Sequence, residues 1–172
     1  MTTNATQKKP EIPTPWEFQQ LAKASLDAAN AAYAESTSRD ERFAAGDVKI
    51  ESSFMSITVA FLYLRSVELA LKAAILERSL APAEAIPSHK LGHDIKSLIA
   101  CATTRSTAAP PPYTLAELGM DSAGKAYLER FSDVYANKWF EYHLGPWDIP
   151  DLHQCQQIAT PILAAIKRIA KK

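Results

Sequence analysis

The sequence predicts an all-α protein, a bundle of four or five helices around one long apolar helix. Three observations carry that reading. From Phe54 to Leu76, 17 of 23 residues are apolar, covering most of a helix circumference as expected of a helix inside a bundle. Capping signals stand at the start of several apolar stretches. No stretch sustains the period-two alternation of a half-buried strand. A length of 172 residues supports one domain with a sizeable core, placed at 14–172 behind a polar, proline-containing, flexible tail at 1–13.

The first helix opens at Thr14-Pro15-Trp16-Glu17, a capping hydroxyl, a proline at the first helical position and a Glu three residues after the cap. It is expected to run to about Ala34, with Phe18, Leu21, Ala22, Ser25, Ala29 and Tyr33 near one face. The charged stretch from Ser36 to Glu51 reads as a solvated connection. The second helix starts at a capping Ser52 or Ser53. Its polar residues Thr58, Arg65, Glu68 and Lys72 fall within roughly 80° of the helical wheel.

Pro82 and Pro87 break that helix. A shorter third helix follows Gly92, burying Ile95, Leu98, Ile99 and Ala102. Residues from Ser106 to Pro112 read as an extended, proline-rich loop, and Thr114-Leu115-Ala116-Glu117 repeats the capping box before Gly119. The fourth helix is expected from Ser122 to Tyr142, presenting Tyr127, Leu128, Phe131, Val134, Tyr135, Trp139 and Tyr142, until Gly145-Pro146 ends it. Asp148 then reads as the cap of a fifth helix to about Ala170, with Leu152, Cys155, Ala159, Leu163 and Ile166 on one face and Pro161 as a kink.

Nineteen basic residues balance nineteen acidic ones. A protein that grips duplex nucleic acid through its overall field carries a clear basic excess, so any polyanion contact must come from a local patch. Residues 65–105, with six basic against four acidic side chains, are slightly basic. Cys101 and Cys155 lie 54 residues apart without a CxxC spacing, which indicates reduced thiols rather than a zinc knuckle or disulfide framework. The longest uncharged stretch within the apolar run, Ser52 to Leu64, is 13 residues, too short to span a bilayer. No signal peptide precedes it, so a cytoplasmic protein without a membrane segment is expected.

Two polar constellations stand out. On the second helix, Arg65, Glu68 and Lys72 have i, i+3 and i, i+4 spacing for ion pairs. They form either a solvated or structural charge cluster or the polar floor of a cleft that receives a phosphate or a partner residue. The second is Ser88-His89-Lys90-Leu91-Gly92-His93-Asp94. Two imidazoles and one carboxylate are an incomplete zinc set, so no metal and no cofactor are expected, and His93 or Asp94 is read as capping the third helix or bonding the charged arc. The basic end Lys167, Arg168, Lys171 and Lys172 complements a helix dipole. Trp139, Phe140, Tyr142 and Trp147 suit a core or dimer interface, or base stacking.

Val67-Glu68-Leu69-Ala70-Leu71-Lys72-Ala73, followed by Gly92-His93-Asp94-Ile95-Lys96-Ser97-Leu98-Ile99, resembles the HEPN superfamily of helical domains. Tyr135-Ala136-Asn137-Lys138-Trp139 stands where many relatives have Tyr followed by Arg-Tyr. The likeness spans about residues 52–143. It implies a homodimer and contact with RNA or nucleotide, in a defence or toxin-antitoxin type system, beside a nucleotidyltransferase or antitoxin partner. Many members are metal-independent endoribonucleases with an Arg-x(4–6)-His motif; others lack it and act as binding modules.

No histidine here has Arg five to seven residues before it, and the nearest approach is Lys138-x(4)-His143. Lys lacks the planar fork that fixes phosphate oxygens, and five residues of straight helix set the two side chains about 140° apart. The expectation is therefore a catalytically weak or inactive HEPN-like binding or regulatory module. The alternatives are an endoribonuclease using Lys138 and His143, supported by Asn137, and a plain helical adaptor whose charged arc is only structural.

Overall fold

The computed structural model describes residues 12–44, 52–86, 91–104, 110–136 and 150–169. They form five α-helices and no strand: α1 Pro15–Ala44, α2 Ser52–Glu77, α3 Ile95–Thr103, α4 Ser122–Ala136 and α5 Leu152–Ile169, with a 3₁₀ turn at Ala83–Ala85. The protein is an all-helical bundle. Within it, α2 packs against each of the other four helices.

The start of α1 obeys its capping box in full. Thr14 N–H and Oγ1 donate to Glu17 Oε2 at 2.7 and 2.8 Å, and Glu17 N–H donates back to Thr14 Oγ1 at 3.2 Å. The helix continues ten residues beyond the expected end at Ala34, so 36–44 belong to α1 rather than to a connection. Neither Gly nor Pro occurs there, and the hydroxyls of Ser36 and Thr37 bond back to the Tyr33 carbonyl instead of breaking the ladder. The buried stripe is also rotated. Phe18, Ala22, Leu26 and Ala29 are buried together with Gln19, whereas Leu21 is 49% exposed. Ala22 and Ala29 are fully covered, and small side chains in such contacts let two helices approach closely.

α2 ends in a Schellman turn five residues before Pro82. Leu80 N–H reaches Ile75 O at 2.9 Å and Ser79 N–H reaches Leu76 O at 3.1 Å, with Ser79 at φ +53°. The same motif closes the turn at 115–119, where Met120 N–H bonds Leu115 O and Gly119 takes φ +71°. Its capping box is formed as well, with Thr114 N–H donating to Glu117 Oε2 at 2.7 Å and Glu117 N–H to Thr114 Oγ1 at 3.2 Å. Gly119 lies against α5 so closely that a Cβ there would sit 2.3 Å from the Pro161 carbonyl oxygen.

α3 buries Ile95, Leu98, Ile99 and Ala102, all at 0% exposure. The described part of α4 buries Leu128, Phe131, Ser132 and Tyr135, and is capped by Asp121, whose Oδ1 accepts from Gly124 N–H. Its expected continuation through Trp139 to Tyr142 lies outside the described residues, as does the expected cap Asp148. The residue that caps α5 is Asp151, accepting from Gln154 N–H at 2.7 Å. Pro150, which has no N–H to continue a helical ladder, stands immediately before this cap. α5 buries Cys155, Ala159, Ile162, Ala165 and Ile166; Leu152 and Leu163 are only partly covered.

One polar node ties three helices together. Asn30 Oδ1 on α1 accepts from Tyr63 Oη on α2 and from Gln156 Nε2 on α5, each at 2.9 Å. Tyr63 is buried, and burial, with Tyr33 and Cys155 nearby, pushes its phenol pKa up to about 12. It stays a neutral donor at this node.

Candidate functional site

The site is built around one carboxylate. Glu68 lies on α2 with 0% exposure, a position where an unpaired charge would be very costly. Lys72, one turn later, donates its ammonium to Glu68 Oε1 at 2.6 Å. Arg65, one turn earlier, places Nη1 at 2.8 Å from Oε1 and 2.7 Å from Oε2. The spacing within α2 brings these three together. Tyr135, 67 residues later on α4, donates its hydroxyl to Glu68 Oε2. His93, just before α3, places Nδ1 3.2 Å from the same oxygen and 3.3 Å from Arg65 Nη1. The cluster therefore fastens α4 and the start of α3 to α2.

Electrostatics follow from the geometry. Burial alone would raise the Glu68 pKa. The charges of Lys72 and Arg65, with hydrogen bonds from Lys72 and Tyr135, outweigh it and hold the carboxyl below its ordinary value of 4.5. Burial, then the Glu68 charge, pushes the Tyr135 phenol upward, so it remains protonated and donating. Exposure is graded across the site: Lys72 is 7% exposed, Arg65 33% and His93 51%. Only Arg65 and His93 meet solvent to a substantial degree.

Asp94 faces a different task. Its Oδ1 caps α3 by accepting from Ser97 N–H at 3.2 Å and also accepts from Ser132 Oγ on α4 at 2.7 Å. Ser97 Oγ donates to Oδ2, and Ser132 in turn receives Lys96 N–H at 3.0 Å. Although burial opposes it, this set of donors, led by Ser97 and Ser132, holds the Asp94 carboxyl below its usual pKa. Gly92-His93-Asp94 thus splits its work, with His93 turned to the Glu68 cluster and Asp94 to the joint between α3 and α4.

Of the residues singled out from sequence, Arg65, Glu68, Lys72 and His93 meet in one cluster, and Asp94 stands beside it. Asn137, Lys138 and His143 lie outside the described residues. Sequence reading assigned Tyr135 to a buried face but not to this site, and missed Ser132. The available signal was a hydroxyl inside the apolar i, i+3, i+4, i+7 stripe of Leu128, Phe131, Ser132 and Tyr135.

A cleft of about 630 Å³ lies elsewhere, between the end of α2, residues 113–117 and the end of α5. Its Arg78 is already committed. The guanidinium stacks 3.5 Å over Tyr113 and donates to Pro111 O, Pro112 O and Glu117. Among the described residues, no group of three or more His, Cys, Asp or Glu could hold a metal ion, and no helix is long and apolar enough to cross a membrane. No protein-family model, curated protein or solved structure matches the chain. Any assignment therefore rests on the residues themselves.

Proposed function

We propose that the chain is a HEPN-like helical module, built around its long apolar second helix, that contacts RNA or a nucleotide as a homodimer and is catalytically weak or inactive. The observation that carries this reading is the Glu68 cluster. Its carboxylate is buried, accepts from Arg65, Lys72 and Tyr135 with His93 Nδ1 also within reach, and is held below its ordinary pKa, which makes it a poor base toward a substrate at neutral pH. Such a cluster suits holding a shape better than turning over a reaction. The missing Arg-to-His motif points the same way. In this reading the module serves a defence or toxin-antitoxin type system, alongside a nucleotidyltransferase or antitoxin partner.

The test is binding and cleavage measured together. Labelled single-stranded RNA and nucleotides are titrated with the protein, and the same RNA is incubated with it in EDTA. Binding without cleavage supports the proposal. Robust cleavage giving cyclic phosphate ends, lost in both Lys138→Ala and His143→Ala, overturns it in favour of the endoribonuclease. Binding of neither RNA nor nucleotide, with a folded dimer retained, leaves the protein as an adaptor.

A further inference from the structure

His93 Nδ1 stands between two groups that ask opposite things of it. Arg65 Nη1, 3.3 Å away, can only donate; its two protons already reach Glu68, and any share of one given to His93 needs a lone pair on Nδ1. Glu68 Oε2, 3.2 Å away, is an acceptor and needs a proton there. One nitrogen cannot satisfy both. The ring is neutral and bonded to Arg65, or it carries an Nδ1 proton and is bonded to Glu68.

The remaining surroundings decide what the second state offers. From α2 the ring faces Arg65 and Glu68, with Lys72 behind them on the far carboxylate oxygen. From α4 it meets the edge of Tyr135, centroids 6.4 Å apart. Within its own segment the neighbouring Asp94 is occupied by Ser97 and Ser132. Arg65 and Lys72 balance the carboxylates of Glu68 and Asp94, so an imidazolium supplies the one excess positive charge of the site. With Nδ1 turned inward and half the side chain exposed, Nε2 is left to face a ligand. No partner of Nε2 occurs among the described residues.

We infer that Arg65 and His93 form a proton-coupled anion site, in which an Nε2–H and the Arg65 guanidinium receive a phosphate-type oxyanion while Nδ1–H is held by Glu68. It deepens the proposed RNA or nucleotide contact by assigning it a phosphate-binding group, and rests on that reading only for the identity of the natural ligand. In the bound state both ring nitrogens carry a proton, Nδ1–H toward Glu68 and Nε2–H toward the oxyanion. The carboxylate below stabilises the imidazolium, because an opposite charge within hydrogen-bond reach favours the charged form of the ring.

Sulfate is the probe, because its charge is constant between pH 5.5 and 8. Titrations of the full chain at both pH values and fixed ionic strength, read by isothermal calorimetry and by the His93 ring nitrogen signals, should show binding about five- to tenfold tighter at the lower pH, the effect of one added charge near the surface. Arg65→Gln should lose binding at both values. His93→Gln should bind with equal, weak affinity at both, and thermal melts check that each variant is folded. The unmodified chain reads out the site directly, since its bound state carries protons on both ring nitrogens. PH-independent sulfate binding, no sulfate binding, or a pH dependence that survives His93→Gln overturns the inference. Sulfate binding as described in a protein that binds neither RNA nor nucleotide keeps the site and removes the proposed function instead.

Discussion

Replacing Glu68 by Leu removes the acceptor on which Arg65, Lys72 and Tyr135 converge, and each loses something different. Lys72, 7% exposed, becomes a buried cation without its partner, a change that costs about 3–5 kcal/mol. Arg65 is one-third exposed and can turn to water at little cost. The Tyr135 hydroxyl is left as a buried donor, worth about 1–3 kcal/mol. Against a typical total of about 5–15 kcal/mol, Glu68→Leu should be among the most damaging single changes. Adding Lys72→Leu removes the stranded charge and should recover most of the loss, and adding Tyr135→Phe should recover the remainder. Urea unfolding followed by circular dichroism at pH 7 measures all three. The expected coupling between positions 68 and 72 exceeds about 2 kcal/mol. Additive costs, or a Glu68→Leu penalty under about 1 kcal/mol, would refute the account of a buried, mutually dependent pair. Because the folded-state pKa of Glu68 lies below 4.5, its ionic contribution is present above that value and is lost as pH falls through the depressed one. The penalty of Glu68→Leu should therefore shrink in acid.

Three further changes probe the frame around the site. Gly119→Ala combines φ +71° with a Cβ 2.3 Å from Pro161 O, and should destabilise by about 3 kcal/mol or more, read as a fall in Tm. Ser79→Gly relieves a side chain held at φ +53° and should stabilise by about 1 kcal/mol, raising Tm by a few degrees. Cys155 is buried and its thiol pKa is pushed up to about 11 by burial, so a thiol reagent at pH 8 should modify Cys155 only at the rate of unfolding; rapid native modification would contradict its placement.

What could be read from sequence is what neighbouring residues decide. Thr14 and Glu17, or Thr114 and Glu117, set a helix start across three residues, and both boxes form. Ile95, Leu98, Ile99 and Ala102 share a face by periodicity alone. The overrun of α1 was harder to read because its charged stretch suits a solvated helix as well as a loop, and only tertiary support distinguishes them. Leu21 and Leu26 exchanged roles because an Ala-rich helix leaves its rotational phase weakly marked. Within the site, the α2 triad follows from spacing, whereas the contacts of His93 and Tyr135 with Glu68 span 25 and 67 residues. Helical periodicity carries no information over that distance.

The Asn30 node bears on the order in which the chain can fold. Its Tyr63 bond closes 33 residues, but its Gln156 bond closes 126. During synthesis the first two helices can pair as soon as both have emerged. The surface they reserve for α5 then waits for roughly 90 more residues, about 5–20 s at common elongation rates. Throughout that interval the nascent chain displays apolar surface and an Asn30 amide lacking its second donor. A chaperone that covers exposed apolar helices would act in this window, and a ribosomal pause placed before α5 would lengthen the exposure.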